Sequence, residues 1–318
     1  MTQSLEELPG SWVGASFETV GLTRRTWLGA TSVLDERTTA FQHLVVAEVP
    51  GYGTTLFLDG TVQLAASDEA VYHERLALVP VLAHPRPAKV LILGGGDGCA
   101  AREVLRIPDV EEVTVVDIDP EVVASSRVHL RHLNRGSLDD PRVRVFGVDA
   151  RQFLTAERLA EVDVVIVDFL DAYSEDELQL YDEVLRGLAT HVGRNTLISL
   201  HGDLGQPGIW PGWRVYALAA RYFSRVEIHS AYLESYTGDW GFILAGQDPD
   251  WVLRLASAAL TQRAQVLTEP PDTLGLAGFI ARLGLSPAQQ RLIGRVSEDP
   301  LKLPADLASE SRWIDLRA

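Results

Sequence analysis

Cysteine is nearly absent from the sequence, since Cys99 is the only one among 318 residues. The chain therefore cannot form a disulfide within itself or build a cysteine-based zinc cluster. It also lacks an apolar run long enough for a membrane span, because its longest hydrophobic stretches have the length of short strands. The first residues, MTQSLEELPGSW, lack the basic and then apolar segments of a secretory signal. We therefore expect no membrane association and a cytoplasmic location.

Basic residues are scarce as well. The sequence has 28 lysines and arginines against 44 aspartates and glutamates, which gives a formal net charge of −16. A nucleic-acid-binding protein needs a basic face to displace counterions from phosphates, so this balance argues against a nucleic-acid partner. Excess negative charge suits a cationic substrate, which it concentrates near a cleft, although it also serves ordinary solubility.

The first part of the chain has the character of β structure. Residues 41–49 and 55–58 are short and rich in β-branched and aromatic side chains, and turn signals at 50–53 and 59–60 separate them. The sequence therefore predicts an N-terminal β-strand domain over residues 1–75.

From about residue 88, strands alternate with helices, which predicts a parallel sheet with helices on both faces. The predicted strands are 89–93, 113–117, 142–147, 163–168 and 196–200. The predicted helices begin near 100 and 120, span 175–191, and lie around 213–222. Two last strands, 225–229 and 240–245, predict an antiparallel hairpin at the sheet edge. We expect a nucleoside-binding catalytic α/β domain over 76–250 and a helical C-terminal extension over 251–318.

A glycine-rich turn follows the first strand of the α/β region, with the sequence Gly-Gly-Gly-Asp-Gly over residues 94–98. Such a turn lets the backbone approach a ligand at a helix N-terminus. A dinucleotide fingerprint would have Gly or Ala at position 99, where this chain has Cys99. Asp97 would also repel a pyrophosphate. The turn therefore favours a cationic ligand.

Further aspartates follow the next strands. Asp117 ends the second strand, where a carboxylate can accept hydrogen bonds from both hydroxyls of a ribose. Asp149 follows the third strand and either binds an adenine amino group or caps the helix that contains Phe153. Asp168 and Asp171 follow the fourth strand, at the edge where such sheets bind ligands. These acids would repel each other unless a cation is bound; a metal ion is one alternative, but no histidine spacing supports a transition-metal site.

Several motifs together resemble the polyamine aminopropyltransferase (spermidine synthase) family over roughly residues 10–245. They are the segments 58–63 and 68–74, the turn 94–98, the Asp149 motif, the Asp168/Asp171 pair and the segment 236–242. Residues 133–142 resemble a bacterial branch of the family whose members are often fused to membrane spans.

The resemblance implies a Rossmann-like methyltransferase-type seven-stranded sheet with a small N-terminal β domain. It implies transfer of an aminopropyl group from decarboxylated S-adenosylmethionine to a di- or polyamine, with release of methylthioadenosine. The sulfonium nucleoside is then a co-substrate, so no tightly bound cofactor and no metal is expected. The family also implies a homodimer or a higher homo-oligomer.

The same resemblance assigns roles to matching side chains. Asp168 would be the catalytic base that accepts the proton of the amine. Within the nucleoside site, Asp97 would hold the ammonium of the donor, Asp117 the ribose and Asp149 the adenine. The cofactor-binding residues would be Gln42, Gly94, Gly96, Asp97, Asp117 and Asp149. The substrate-binding residues would be Tyr72, His73, Asp171 and Tyr236.

Four positions depart from the usual pattern of the family. After Asp171 the family usually has a proline and then a Gly-Pro turn, whereas this chain has Ala-Tyr-Ser-Glu at 172–175, and no proline precedes Tyr236. His201 stands where glutamine is common, and Asp117 where glutamate is usual. Three of the four surround the amine half of the site, so the acceptor could differ from putrescine.

Two alternative functions remain at this point. The first is an S-adenosylmethionine-dependent amine N-methyltransferase on the same scaffold. Asp97 argues against it, because this carboxylate would repel the carboxylate of S-adenosylmethionine. The second is a catalytically inactive homologue that binds a nucleoside or a polyamine. The presence of both Asp168 and Asp171 argues against a loss of activity.

Overall fold

The computed structural model describes residues 12–19, 22–205, 210–255, 262–267, 269–273, 293–294 and 296–302. Two antiparallel sheets come first along the chain. A hairpin pairs β1 (Trp12–Thr19) with β2 (Leu22–Gly29). A four-stranded meander follows, made of β3 (Ser32–Thr38), β4 (His43–Val49), β5 (Gly53–Leu58) and β6 (Thr61–Ala65).

The third sheet has seven strands in the order β12-β13-β11-β10-β7-β8-β9. They are β7 (Lys89–Gly94), β8 (Glu112–Val116), β9 (Val143–Phe146), β10 (Val164–Asp168), β11 (Leu197–Asp203), β12 (Arg225–Leu233) and β13 (Gly238–Gly246). The strands from β11 to β9 in this order are parallel, whereas β13 runs antiparallel to both β11 and β12. The fold class and the antiparallel hairpin at the edge are confirmed.

Helices cover both faces of this sheet. A continuous helical segment joins α1 (Glu69–His73), a π-helix (Glu74–Leu78) and α2 (Val79–Ala83). The other α-helices are α3 (Cys99–Leu105), α4 (Pro120–His129), α5 (Arg131–Asn134), α6 (Ala156–Leu159), α7 (Glu175–His191), α8 (Pro211–Tyr222) and α9 (Trp251–Arg254). Short 3₁₀ turns lie at Ser137–Asp139 and Ala150–Phe153.

The core lies in two apolar layers, one on each face of the seven-stranded sheet. Along β7, Val90 and Ile92 point into one layer, and Leu91 and Leu93 point into the other. A parallel strand that is covered on both faces reads as an unbroken apolar run, which is why this strand is recognisable in the sequence. The acids that follow such strands then meet at one edge of the sheet.

The structure differs from the prediction of β structure through residue 75. The strands of the N-terminal region end at Ala65, and residues 69–83 are helical. The division into three domains stays a prediction, and most of the predicted C-terminal extension lies outside the described residues. Among the residues that the structure describes, no helix is long and apolar enough to cross a membrane.

Candidate active site

A cavity of about 770 Å³ opens at the carboxyl ends of β7, β8 and β10, and side chains of β5 and β6 form part of its wall. Every residue that the sequence singled out for a site lines this cavity. They are Gln42, Tyr72, His73, Gly94, Gly96, Asp97, Asp117, Asp149, Asp168, Asp171 and Tyr236. The structure thus brings together residues that are up to 194 positions apart along the chain.

The glycine turn is fixed to the acids on the neighbouring strands. The N–H of Gly95 donates to the carbonyl of Asp168 at 3.0 Å. Gly94 has a φ of +85°, and a Cβ there would lie 1.9 Å from the same carbonyl oxygen. The N–H of Gly96 donates to Oδ2 of Asp117 at 2.9 Å, and a Cβ at Gly96 would lie 2.5 Å from that oxygen. Only glycine fits these two positions, because backbone and carboxylate occupy the space of a side chain.

Asp117 is held by two backbone donors. Its Oδ2 accepts from Gly96, and its Oδ1 accepts from the N–H of Asp119 at 2.9 Å. Burial nevertheless raises the pKa of Asp117 to about 6. Each oxygen keeps a second lone pair, so the carboxylate can still accept from two hydroxyl groups.

Asp119 is buried and does not line the cavity, but it contacts Gln42, which does, and sequence reasoning missed this contact. It caps α4 by accepting from the N–H of Glu121 at 3.0 Å. Its other oxygen accepts from the side-chain amide of Gln42 at 3.0 Å and from the hydroxyl of Thr39 at 2.7 Å. The amide of Gln42 is thereby oriented, with its nitrogen towards Asp119. An Asp-Pro pair is a common start of a helix, but it carries no information about this second contact.

Asp149 fits both of the interpretations that the sequence left open. It caps the 3₁₀ turn Ala150–Phe153 by accepting from the N–H of Arg151 at 2.8 Å, and it also lines the cavity. The guanidinium of Arg151 lies 2.6 Å from Oδ2 of Asp149. This hydrogen bond lowers the pKa of Asp149. Nothing in the local sequence pattern indicated that a cation would share this carboxylate.

Behind the glycine turn, the buried charged side chains of Arg102, Glu69 and His73 contact one another in that order, and His73 lies next to Asp97. Arg102 donates to both oxygens of Glu69, at 2.8 and 2.9 Å. Glu69 accepts from Nδ1 of His73 at 3.1 Å, and Nε2 of His73 lies 3.6 Å from Oδ1 of Asp97. Oδ1 of Asp97 also accepts from the N–H of Cys99 at 2.7 Å.

This environment sets the charges of His73 and Glu69. Burial acts to lower the pKa of His73, but the hydrogen bond to Glu69 and the charge of Asp97 outweigh it and raise the pKa to about 9. For Glu69, burial acts to raise the pKa, but the hydrogen bonds from His73 and Arg102 lower it to about 2. At neutral pH the imidazole is therefore a cation and Glu69 an anion.

No histidine spacing in the sequence supports a metal site, but the fold brings His73 next to the acids. Ligand-type atoms of His73, Asp97 and Asp168 lie within 4.8 Å of one another, although the residues are far apart in sequence. Nδ1 of His73 already faces Glu69, so Nε2 is the nitrogen of this ring that can face a cation bound at Asp97 and Asp168.

Asp168 has one satisfied oxygen and one unsatisfied oxygen. Its Oδ1 accepts from the hydroxyl of Tyr72 at 2.8 Å. Its Oδ2 is buried and has no hydrogen-bond partner among the residues that the structure describes. Burial and the charge of Asp97 raise the pKa of Asp168 to about 6, although His73 and Tyr72 oppose them. An unsatisfied, fixed carboxylate oxygen of this kind can take up a proton from a bound ligand.

Asp171 and His201 form the opposite end of the cavity. Burial and the negative charges of Asp203 and Glu177 raise the pKa of Asp171 to about 8. Nε2 of His201 lies 3.0 Å from the carbonyl of Phe169, and burial lowers the pKa of this imidazole to about 4. Its Nδ1 lies 3.7 Å from Oδ1 of Asp171 and has no hydrogen-bond partner within the described ranges.

Aromatic rings enclose this end of the cavity. The ring of Tyr236 lies 4.6 Å from that of Trp240 and 6.0 Å from that of Tyr72. Trp240 also stacks on His201, with an interplanar angle of 14°. The hydroxyl of Tyr236 donates to the carbonyl of Gln63, which fixes the ring over the cavity. Aromatic faces next to carboxylates suit an alkylammonium, whose methylene groups pack on the rings and whose charge faces the acids.

An open, mostly parallel sheet with a carboxylate-lined cavity at its glycine-rich turn defines the class of protein. Open α/β sheets of this kind bind ligands at the carboxyl ends of their strands, and the acids at this edge favour a ligand with positive charge.

Comparison with known proteins gives the family. The sequence model of the spermine/spermidine synthase domain matches residues 69–203. The polyamine aminopropyltransferase of Aeropyrum pernix is 36% identical over 219 residues, which are 66% of this chain and 68% of that protein. The polyamine aminopropyltransferase of Synechococcus sp. strain JA-2-3B'a(2-13) is 37% identical over 245 residues, which are 75% of this chain and 77% of that protein. The chain belongs to the polyamine aminopropyltransferase family.

Solved structures support the same fold. The spermidine synthase of Thermotoga maritima superimposes with a TM-score of 0.76 at 22% identity, covering 92% of this chain and 98% of that chain. A spermidine synthase in complex with the transition-state analogue AdoDATO has a TM-score of 0.75 at 23% identity, covering 92% of this chain and all of the other. The predicted family and fold are confirmed, whereas the roles of the individual site residues stay predictions.

Proposed function

We propose that this protein transfers an aminopropyl group from decarboxylated S-adenosylmethionine to a di- or polyamine and releases methylthioadenosine. The observation that carries the proposal is the unsatisfied Oδ2 of Asp168, a fixed base in the same cavity as Asp97. Membership of the polyamine aminopropyltransferase family supports the same reaction. The homo-oligomer and the cytoplasmic location stay predictions.

The donor half of the cavity is the glycine turn with its acids. Asp117 accepts from the ribose hydroxyls, because each of its oxygens keeps a lone pair beyond the backbone bonds. Asp149 accepts from the adenine amino group in competition with Arg151, whose backbone N–H and guanidinium contact both of its oxygens. Asp97 attracts the ammonium of the aminopropyl arm. Gln42, Gly94 and Gly96 complete the wall against which the nucleoside lies.

The acceptor half is the aromatic end of the cavity. Asp171 binds the distal ammonium of the amine, and the ring of Tyr236 covers its methylene chain. Tyr72 holds Asp168 through its hydroxyl, so that Oδ2 of Asp168 faces the reacting amine. Positioning of this kind makes the attack effectively unimolecular.

In the reaction, the nitrogen of the acceptor forms a bond to the carbon next to the sulfonium. The bond from that carbon to sulfur breaks, and its electron pair leaves a neutral thioether on methylthioadenosine. The proton of the attacking nitrogen moves to Oδ2 of Asp168. With a pKa of about 6, Asp168 is mostly ionised at neutral pH and can accept this proton.

The experiment is incubation with decarboxylated S-adenosylmethionine or with S-adenosylmethionine, each in the presence of a panel of diamines and polyamines. We expect methylthioadenosine and an amine heavier by one aminopropyl group, and only with the decarboxylated donor. Mass spectrometry identifies both products. Methylated amine from S-adenosylmethionine would instead identify a methyltransferase. Donor binding without any product would identify a binding homologue and contradict the proposal.

A further inference from the structure

His73 is the cation that lies closest to the proposed ammonium site. Its side chain is 3% exposed. Nδ1 lies 2.8 Å from the carbonyl oxygen of Glu69 and 3.1 Å from its Oε2. Two acceptors face this nitrogen, so Nδ1 carries a hydrogen. The second proton of the imidazolium is therefore the one on Nε2, which lies 3.6 Å from Oδ1 of Asp97.

The groups around His73 come from four elements. Glu69 lies on the same helix, Asp97 lies in the turn after β7, and Asp168 lies at the end of β10. Arg102 on α3 is the one positive group among them, and its guanidinium is bonded to Glu69. The three carboxylates stabilise the imidazolium while no donor is bound.

Among the described residues, three other titratable side chains near His73 are neutral at physiological pH. The ring of Tyr72 lies 4.9 Å away, edge to face, and burial raises the pKa of its hydroxyl well above the usual range. The thiol of Cys99 lies within 4.8 Å of ligand-type atoms of Glu69 and His73, and burial raises the pKa of this thiol well above the usual range. His201 is also neutral, because its pKa is lowered by burial. The proton on Nε2 of His73 is thus the one that an arriving cation displaces most directly.

We propose that the ammonium of the donor displaces the Nε2 proton of His73 when it binds at Asp97. The ammonium and the imidazolium would compete for one carboxylate, and two cations about 4 Å apart in a buried site repel each other strongly. The proton leaves to solvent, and the bare Nε2 accepts a hydrogen bond from the ammonium. The ammonium is then held by Asp97 and His73 together. This inference rests on the proposed function and deepens it.

The exchange makes donor recognition depend on pH. The pKa of His73 is raised to about 9 in the free protein, so the donor must displace a proton at any lower pH. Donor affinity should fall about tenfold for each pH unit below that value, as long as the complex holds His73 neutral. Methylthioadenosine has no ammonium, so its affinity should not follow this dependence.

Calorimetric titration at pH 8.5 tests the exchange. The probe is decarboxylated S-adenosylmethionine, titrated in three buffers of different ionisation enthalpy, with methylthioadenosine as the matched control ligand. At this pH, Asp168 with a pKa of about 6 and Asp171 with a pKa of about 8 are largely ionised already. We expect release of roughly 0.8 proton per bound donor, since a group with a pKa of about 9 is that far protonated at pH 8.5. Methylthioadenosine should release almost none.

The variant His73→Gln keeps a hydrogen-bonding oxygen at this position but cannot titrate. It should bind the donor with much less proton release, and its affinity should depend less on pH between 7 and 9 than that of the parent. The comparison of the two ligands on the parent protein stands without this variant, should its fold be altered. Donor binding without proton release, or equal release by methylthioadenosine, would overturn the exchange and leave the proposed function intact. A lack of donor binding would contradict the proposed function itself.

Discussion

Asp168 is the single residue on which the proposed reaction depends most. Asp168→Asn preserves the shape of the side chain and keeps an oxygen for the hydroxyl of Tyr72, but it removes the negative charge and the basicity. We expect turnover to fall about 10²–10⁴-fold, which is the usual contribution of a general base. Donor affinity should change little, because Asp97, Asp117 and Asp149 remain. Single-turnover release of methylthioadenosine at saturating amine measures the effect.

The same strand offers a matched control at its other end. Asp163 precedes β10, and its Oδ2 accepts from the N–H groups of Ala88 and Lys89 at 2.8 and 2.9 Å. Asp163→Asn removes one charge outside the cavity, so its turnover should stay near that of the parent. Near-parental turnover of Asp168→Asn would remove Asp168 as the base, and the reaction would then have to be assigned to another group.

At the scale of residues, the sequence predicted the acids but not their partners. Asp117 and Asp168 follow apolar runs that are recognisable as strands, and parallel strands end at one edge of a sheet. The pairing of Asp149 with Arg151 depends on a 3₁₀ turn, and the contact of Glu69 with Arg102 joins positions 33 residues apart. Neither contact leaves a periodic signal in the sequence.

The glycine turn after β7 is the element whose geometry is most restricted. Gly94 has a φ of +85°, and Gly51, in the turn between β4 and β5, has a φ of +83°. An alanine at either position therefore has the same backbone strain, about 1–2 kcal/mol. A Cβ at Gly51 would meet nothing within 4 Å, whereas at Gly94 it would lie 1.9 Å from the carbonyl oxygen of Asp168.

This pair of glycines gives a prediction about the turn. Gly51→Ala should reduce the free energy of unfolding by only the strain, about 1–2 kcal/mol, and leave nucleoside affinity unchanged. Gly94→Ala should cost clearly more and weaken methylthioadenosine binding, because β7 and β10 must move apart. Denaturant unfolding and calorimetry measure the two quantities. Equal losses in both variants would show that the contact between the turn and Asp168 is unimportant.

A helix was predicted correctly where the sequence contains both an N-capping residue and apolar residues at helical spacing. The range 175–191 matches α7, whose capping box joins Ser174 and Glu177 and whose apolar positions repeat at helical spacing. The helical segment 69–83 was missed, because its second half is apolar on every side. Residues 76–83 are fully buried, so no polar face marks the helical period.

At the scale of the whole molecule, the acids of the site affect stability as well as ligand binding. A carboxyl whose pKa is raised on folding stabilises the protein fully below its unfolded pKa, and this contribution is lost as pH rises through the folded pKa. For Asp171 these values are 3.8 and about 8. His73 behaves similarly: its contribution is complete below 6.5 and is lost as pH rises through about 9. Glu69 contributes in the opposite direction, but only at acidic pH, because its pKa is about 2.

The free protein should therefore become less stable between pH 6 and pH 9. Between pH 6 and pH 8, Asp171 contributes more to this loss of stability than His73 does. The unfolding free energy of Asp171→Asn should therefore depend less on pH. Between pH 6 and pH 8, the free energy of unfolding of the parent should fall by about 2 kcal/mol more than that of the variant. Each pH unit corresponds to about 1.4 kcal/mol for one proton. Urea unfolding of both proteins at several pH values measures the difference.

Asp163→Asn is the control for net charge in this experiment. It removes one of the 44 acidic residues of a chain with a net charge of −16, outside the cavity. Its stability should follow the pH dependence of the parent, because Asp171 and His73 are unchanged.

Spermidine added to the parent should oppose the loss of stability above pH 7, since a bound ammonium stabilises the ionised form of Asp171. If the stability of the parent is instead constant or rises from pH 6 to 9, the acceptor end of the cavity is well solvated. The assignment of Asp171 to a desolvated cation site would then be wrong.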